Sequence, residues 1–233
     1  MIDENIQSVL GELKELGSSE RREHMAKYGI NVENAYGVSI PDLRKLAKTI
    51  GRDHKTALKL WETGVHDARL LASMIEEVDK VTRSQMDAWA KDFNSWDICD
   101  QCCNNLFVFT VYSDIKANFW SKSNVEFVKR AGFVLMAVQA VHHRTENNDK
   151  FIAYFDIIKR NAEDDRNFVK KAVNWALRQI GKRNWELNEL ALEVCEELKK
   201  RDSNTAKWIA ADAIRDLTSN TAERRIRASL KKK

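Results

Sequence analysis

The sequence predicts an all-α protein, and three observations support this. One Pro and eight Gly among 233 residues leave few of the tight turns that join strands. Ala, Leu, Lys, Glu and Arg, which favour helices, are plentiful. Apolar residues recur at spacings of three and four along most of the chain, which is the period of amphipathic helices.

Two segments illustrate the prediction of helices. Ser39, Pro41 and Asp42 form a capping-box-like start, since Ser can accept a hydrogen bond from an unpaired amide and Pro is tolerated in the first turn. A second helix has an apolar face at helical spacing, formed by Phe127, Ala131, Val134, Leu135 and Val138.

An internal repeat predicts how the helices are arranged. FVKRAGFVLMA begins at Phe127, and FVKKAVNWALR begins 41 residues later at Phe168. Weaker copies begin at Asp67 and Thr205. A period of about 40 to 47 residues is typical of HEAT repeats, which stack into a solenoid with a concave surface. We therefore expect a curved α-solenoid of HEAT-like helical-hairpin repeats.

Domain organisation is predicted to be simple. No linker rich in Pro, Gly or Ser interrupts the chain, so we expect residues 1–233 to form a single HEAT-like repeat domain. Residues 219–233 are predicted to be a basic C-terminal helix or tail. The net charge of +4 and the pI near 8.8 permit a nucleic-acid partner without requiring one.

The sequence also indicates the cellular compartment of the protein and whether it binds a metal. The polar, acidic start does not resemble a secretory signal, and the longest apolar stretch, 131–141, falls short of the roughly 20 residues of a membrane span. Cys99, Cys102 and Cys103 are too close in sequence for a disulfide framework, which favours the cytoplasm. They lie mid-helix without a second cysteine pair, so buried thiols are favoured over a zinc site and no metal is predicted.

Trp96 and Asp100 form the first candidate site. Ser95 or Asn94 is predicted to cap a helix, and Asp97 in its first turn would simply favour the positive helix end. Asp100 lies four residues after Trp96, so the indole and the carboxylate share a face. The alternative is an ordinary solvent-exposed aspartate.

A basic stripe forms the second candidate site. Lys171, Trp175, Arg178 and Lys182 are spaced by four, three and four residues and align on one helix face. Cations around an aromatic ring suit a phosphate backbone with a base or sugar against the ring, although long basic side chains also cover tryptophans on ordinary surfaces. Arg130 takes the position of Lys171 in the preceding repeat, with a solvated arginine as the alternative.

These motifs, taken in order, resemble the AlkD-like DNA alkylation repair family. The resemblance is carried by three segments, 96–100, 130–131 and 171–175, followed by Arg178. The segment 40–44 also looks like the amino-terminal repeat region of that family. The resemblance spans about residues 28–183, and the combination is more specific than any single motif.

The resemblance implies a monomeric DNA glycosylase without a metal or organic cofactor, which excises cationic N7- or N3-alkylated purines from duplex DNA. Asp100 matches the catalytic aspartate, Trp96 and Trp175 match the active-site tryptophans, and Arg130 matches an arginine at the lesion. The predicted DNA-binding residues are Lys171, Arg178, Lys182, Arg44 and Tyr28.

The chemistry explains why so few residues suffice. A cationic purine can leave without a general acid, so Asp100 need only stabilise the oxocarbenium-like sugar and position water. The two tryptophans would contact the cation through their ring faces, and Arg130 would hold a phosphate. Ser95 stands where some members carry a further aromatic residue. The alternatives are a non-catalytic DNA-binding relative and, from another class, a protein-binding adaptor with an apolar groove.

Overall fold

The structure is a computed structural model that describes residues 4–230, and the side chains of residues 4–228. Within that range it contains fourteen α-helices, two short 3-10 helices and no strand, which confirms the all-α prediction. The predictions for the first three residues and for the last three basic residues lie outside the described residues. The chain divides between Tyr112 and Ser113 into two compact units. The prediction of a single domain stays a prediction.

The first unit holds seven α-helices of about two to four turns. They are α1 (Glu4–Glu15), α2 (Ser19–Lys27), α3 (Ile40–Ile50), α4 (His54–Glu62), α5 (His66–Ile75), α6 (Arg83–Lys91) and α7 (Trp96–Asn105), with 3-10 helices at Val78–Lys80 and Phe107–Phe109. The predicted start of α3 is confirmed, because the Ser39 hydroxyl accepts a hydrogen bond from the Asp42 amide and Pro41 lies in the first turn.

An aromatic cluster organises the core of the first unit. The rings of Trp61 and Trp89 are stacked with centroids 4.0 Å apart, and Phe93 and Phe107 pack around them. The Trp61 indole N–H donates to Asp92, so the polar edge of this buried ring is satisfied. The stacked rings join α4 to α6, and α5 packs against both α4 and α7.

The second unit contains the other seven helices, including the longest ones. They are α8 (Ser113–Trp120), α9 (Glu126–His142), α10 (Asn148–Asn161), α11 (Asn167–Gly181), α12 (Trp185–Lys199), α13 (Asn204–Leu217) and α14 (Asn220–Leu230). Helix α11 packs against α9 on one side and against α12 and α13 on the other. The predicted repeat is a structural one, since the matching Phe127 and Phe168 rings lie 5.3 Å apart.

Helix α9 is buried on nearly all sides, which requires a close approach by its neighbour α8. Gly132 provides it: a Cβ added there would lie 2.4 Å from the Ser121 amide nitrogen and 2.9 Å from the Trp120 carbonyl carbon. Gln139, also buried in α9, donates to Ser113 of α8 and accepts from the Tyr154 hydroxyl. One glycine and one amide therefore fix α8 and α10 against α9.

Asp164 fixes the turn before α11. Its carboxylate accepts from Arg166 and from Lys129 of α9, and these cations hold the pKa of Asp164 at about 2, below its usual 3.8. Because the folded-state pKa is depressed, this stabilisation is present above about pH 4 and is lost as pH falls through about 2.

We expect Asp164→Asn to lower the free energy of unfolding by about 1 kcal/mol at pH 7, after allowance for solvent screening. The deficit should shrink between pH 4 and pH 2 in urea titrations. Asp156→Asn is the matched control, because Asp156 pairs with Lys159 at an exposed position of α10. An equal deficit at every pH would show that Asp164 does not act through its charge.

The four cysteines are buried thiols, as the sequence predicts for Cys99, Cys102 and Cys103. Burial raises the pKa of Cys102 well above its ordinary value. Residues 4–230 include no group of three His, Cys, Asp or Glu side chains placed to hold a metal ion. Over the same residues, the length and apolarity needed to cross a bilayer are not combined in any helix.

Candidate nucleic-acid interface

Trp96 and Asp100 lie on one face of α7, as their spacing predicts. Trp96 is the first residue of α7, Asp100 follows one turn later, and both side chains are half-buried. The Trp96 indole N–H donates to the Tyr28 carbonyl oxygen at 3.0 Å. This bond fixes the orientation of the indole and brings Tyr28, whose side chain is 63% exposed, next to it.

Ser95 occupies the predicted cap position of α7, but its hydroxyl does not cap the helix. It is fully buried and accepts from the Asn31 amide at 2.8 Å. Ser95 therefore ties the segment that follows Tyr28 to the start of α7, which explains a small residue at this position.

Asp97 has a structural partner that the sequence did not reveal. Its carboxylate lies 2.8 Å from Nε2 of His66, and the His66 side chain is almost fully buried at the start of α5. The sequence explanation, a carboxylate favoured at a helix end, was therefore incomplete. The two aspartates of α7 differ: Asp97 joins α7 to α5, whereas Asp100 lies one turn along, on the face of Trp96.

The loop between α2 and α3 is held by buried acceptors of α5 and α7. Asp67 is fully buried, and its two carboxylate oxygens accept from the Tyr36 and Val38 amides at 2.6 and 2.7 Å. In return, the loop accepts a hydrogen bond from α5, since the His66 amide donates to the Asn34 carbonyl oxygen. These bonds give the segment that presents Tyr28 a defined path.

Not all the predicted residues of the first unit come together. Tyr28 contacts Trp96, and Trp96 shares a helix face with Asp100. Arg44 is exposed on α3, where it has neither a hydrogen bond nor an ion pair with those three residues. Its predicted role in DNA binding stays a prediction.

The basic stripe lies on α11, and its cations differ in whether a carboxylate lies beside them. Lys171 is exposed and Trp175 is half-buried, but Arg178 lies 3.5 Å from Asp212 and 3.9 Å from Asp216 of α13. Lys182 is 2.5 Å from Asp216, and burial lowers its pKa despite that carboxylate. The second half of the stripe is therefore paired with α13, while the first half faces solvent.

Asp212 and Asp216 were not predicted, although the spacing of the repeat in the sequence contains a signal for them. Asn174 donates to Asp212 at 2.6 Å, and the two residues are 38 positions apart, close to the repeat offset of 41. A search for polar residues separated by about one repeat could therefore have predicted that α11 packs against α13.

Arg130 is buried in α9, with 6% of its surface exposed. One guanidinium nitrogen donates to the Phe168 carbonyl oxygen of α11 at 2.7 Å. The alternative of a solvated arginine is therefore wrong. This hydrogen bond joins α9 to α11, and the predicted contact of Arg130 with a phosphate stays a prediction.

The chain resembles solved structures of known fold. One is described as a new family of proteins related to the HEAT-like repeat DNA glycosylases with affinity for branched DNA structures. It is 21% identical in sequence, and the match covers 90% of this chain and 94% of that chain with a TM-score of 0.76. This confirms the HEAT-like repeat fold. A designed armadillo repeat protein in complex with a (KR)4 peptide is 15% identical over 80% of this chain and 79% of that chain, and its TM-score of 0.36 is too low to indicate a shared fold.

Comparison with the curated proteins gave no significant match. The model of the family described as DNA alkylation repair enzyme, however, matches residues 9–217. That match extends beyond residues 28–183, where the motifs first indicated the family. The chain therefore belongs to the DNA alkylation repair enzyme family.

Proposed function

We propose that this protein is a monofunctional DNA glycosylase that excises cationic N7- and N3-alkylated purines from duplex DNA in base excision repair. One observation carries the proposal: Trp96 and Asp100 share a face of α7, and the Trp96 indole is oriented by the Tyr28 carbonyl at 3.0 Å. Membership of a DNA alkylation repair family supports the same activity.

The proposed chemistry needs a negative charge and an aromatic face, and α7 offers both. As the bond from C1′ to the purine breaks, its electron pair leaves with the base and neutralises the cationic ring. Positive charge then develops on the sugar, where the Asp100 carboxylate stabilises it and orients water for attack at C1′. The Trp96 ring contacts the cation through its face, a contact worth about 0.5–2 kcal/mol.

Arg130 and Trp175 complete the proposed catalytic set on the strength of the resemblance. Arg130 would hold a phosphate through its buried guanidinium, and Trp175 would contact the cationic sugar or base. The proposed partner is duplex DNA that contains alkylated purines, bound by a monomer without a cofactor. The four buried thiols fit a reducing compartment, and the cytoplasm is the proposed location.

The direct test measures the release of free 7-methylguanine and 3-methyladenine from methylated duplex DNA by the purified protein. Time-dependent release of either base, with abasic sites left in the duplex, would establish the activity. Unmethylated duplex of the same sequence is the control, because a neutral purine is a poor leaving group.

A second function is favoured by one relative. The solved structure with a TM-score of 0.76 belongs to proteins described as having affinity for branched DNA, so this chain could bind such DNA without excising a base. Retained DNA binding with no base release would favour this function over the glycosylase. The presence of Asp100 in the matched motif supports the glycosylase.

The basic stripe makes its own prediction for DNA binding. Arg178→Ala should weaken duplex binding and reduce the slope of log affinity against log salt by about one, the value expected for one lost phosphate contact. Fluorescence polarisation from low to moderate salt measures both quantities.

Lys199→Ala is the matched control, since Lys199 is an exposed cation that also pairs with a carboxylate, Glu196, but lies on α12. An unchanged slope in Arg178→Ala would mean that the stripe does not touch phosphates.

A further inference from the structure

Helix α13 carries a large aromatic side chain on the surface of the second unit. Trp208 is 40% exposed, although an indole normally buries most of its area. The ammonium of Lys170 on α11 lies 4.9 Å from the centroid of its ring. The ammonium therefore lies over the indole, and the exposed part of the ring remains open to a further partner.

Helices α11 and α13 pair in register, which places Trp208 one turn before the ion pairs of α13. Lys170 meets Trp208, and Asn174 meets Asp212, so both pairs are 38 residues apart. Arg178 then meets Asp212 and Asp216 further along. Asp212 lies one turn after Trp208 on the same face, and it is paired with Arg178 and Arg215. The next carboxylate, Asp216, is paired with Arg178 and Lys182.

Lysines of α11 and α13 add positive charge near Trp208. Lys207 is exposed next to Trp208 on α13, and Lys171 is exposed next to Lys170 on α11. Ala211 follows Trp208 by three residues on the same exposed face, and its small side chain leaves room above the ring. An exposed ring among cations is complementary to a chain of phosphates with an accessible base.

We propose that Trp208, with Lys170, Lys171 and Lys207, is a binding site for an unpaired base of DNA, which stacks on the indole while its phosphates contact the lysines. The interior bases of a duplex are stacked on both faces and only its end pairs have one free face, so this site favours DNA with a single-stranded segment over blunt duplex. The proposal rests on the proposed function for its DNA partner, but it does not depend on excision.

The test compares two fluorescein-labelled probes at one fixed salt concentration: a blunt duplex, and the same duplex with a 3′ overhang of six thymidines. Wild-type protein should bind the overhang probe more tightly than the blunt probe. Trp208→Ala should weaken binding of the overhang probe about tenfold and change binding of the blunt duplex by less than about twofold, as expected for the loss of one stacked base.

Three further variants make the result specific. Trp185→Ala is the matched control, because Trp185 is also 40% exposed but begins α12 beside Glu186. It should leave both affinities unchanged. Trp208→Phe keeps a stacking face and should restore most of the overhang affinity, whereas Trp208→Leu keeps an apolar side chain and should not. Thermal melting of each variant establishes that it is folded.

Several outcomes would overturn the proposal. They are an unchanged overhang affinity in Trp208→Ala or Trp208→Leu, an equal loss for both probes, and tighter binding of an overhang of six uridines in RNA. Failure here is separable from failure of the proposed glycosylase: Asp100→Asn should keep the preference for the overhang, and Trp208→Ala should keep base release from blunt methylated duplex.

Discussion

Replacing Asp100 by Asn is expected to slow the release of 7-methylguanine and 3-methyladenine from methylated duplex DNA by about 10²- to 10³-fold, the loss typical of one pre-organised electrostatic group. Asn has nearly the shape of Asp, so the substitution removes the charge that would stabilise the oxocarbenium-like sugar and leaves Trp96 in place. Duplex affinity should therefore be largely retained. Single-turnover release at saturating enzyme measures the chemical step without a contribution from binding.

Asp97→Asn is the matched control, since it makes the same substitution three residues earlier in α7. Asp97 bonds to His66, so this variant should lose thermal stability but release bases at the wild-type rate per folded molecule. Wild-type release by Asp100→Asn would remove Asp100 from the mechanism. Equal losses in both variants would assign the effect to the fold of α7.

The second large effect is expected at Gly132, where α8 and α9 approach most closely. A Cβ at this position would meet the Ser121 amide nitrogen at 2.4 Å and the Ser121 Cα at 2.9 Å, so backbone rather than a flexible side chain must move. Overpacking typically costs about 1–3 kcal/mol, occasionally more, and the helical preference of Ala returns about 1 kcal/mol. We expect Gly132→Ala to lower the free energy of unfolding by about 2 kcal/mol in urea titrations.

Gly11→Ala provides the control for the helical preference alone. Gly11 lies within α1, and an added Cβ there would meet no heavy atom within 4 Å. The variant should gain about 0.5–1 kcal/mol of stability. A similar gain in Gly132→Ala would mean that α8 and α9 separate at little cost, and that the contact does not limit their packing.

Helices and family were predictable from sequence because their signals are local. The helix start at Ser39 follows from a few neighbouring residues, and the repeat of Phe127 at Phe168 sets the length of one hairpin. The shared face of Trp96 and Asp100 follows from helical spacing alone. Each motif lies within one helix, and the repeat and the family followed from comparing such motifs along the chain.

The partners of polar side chains could not be predicted in this way. Ser95 resembles a helix cap, but its hydroxyl binds an amide 64 residues earlier in the chain. Arg178 and Lys182 resemble a solvent-facing stripe until Asp212 and Asp216 are placed beside them. Such choices depend on which helices are neighbours, which propensity and spacing within one helix do not show and which only the repeat offset could have indicated.

The loop between α2 and α3 also suggests how the specificity of such a protein could change without loss of its scaffold. Ser95 and Asp67 hold the loop through the amides of Asn31, Tyr36 and Val38, and main-chain amides are common to every residue except Pro. Side chains at the exposed positions 33 and 34 are therefore interchangeable as far as these bonds are concerned. Randomised libraries at those two positions would vary the surface of a segment that begins beside Tyr28. The backbone of that segment would keep its conformation, because the bonds that hold it do not involve these side chains.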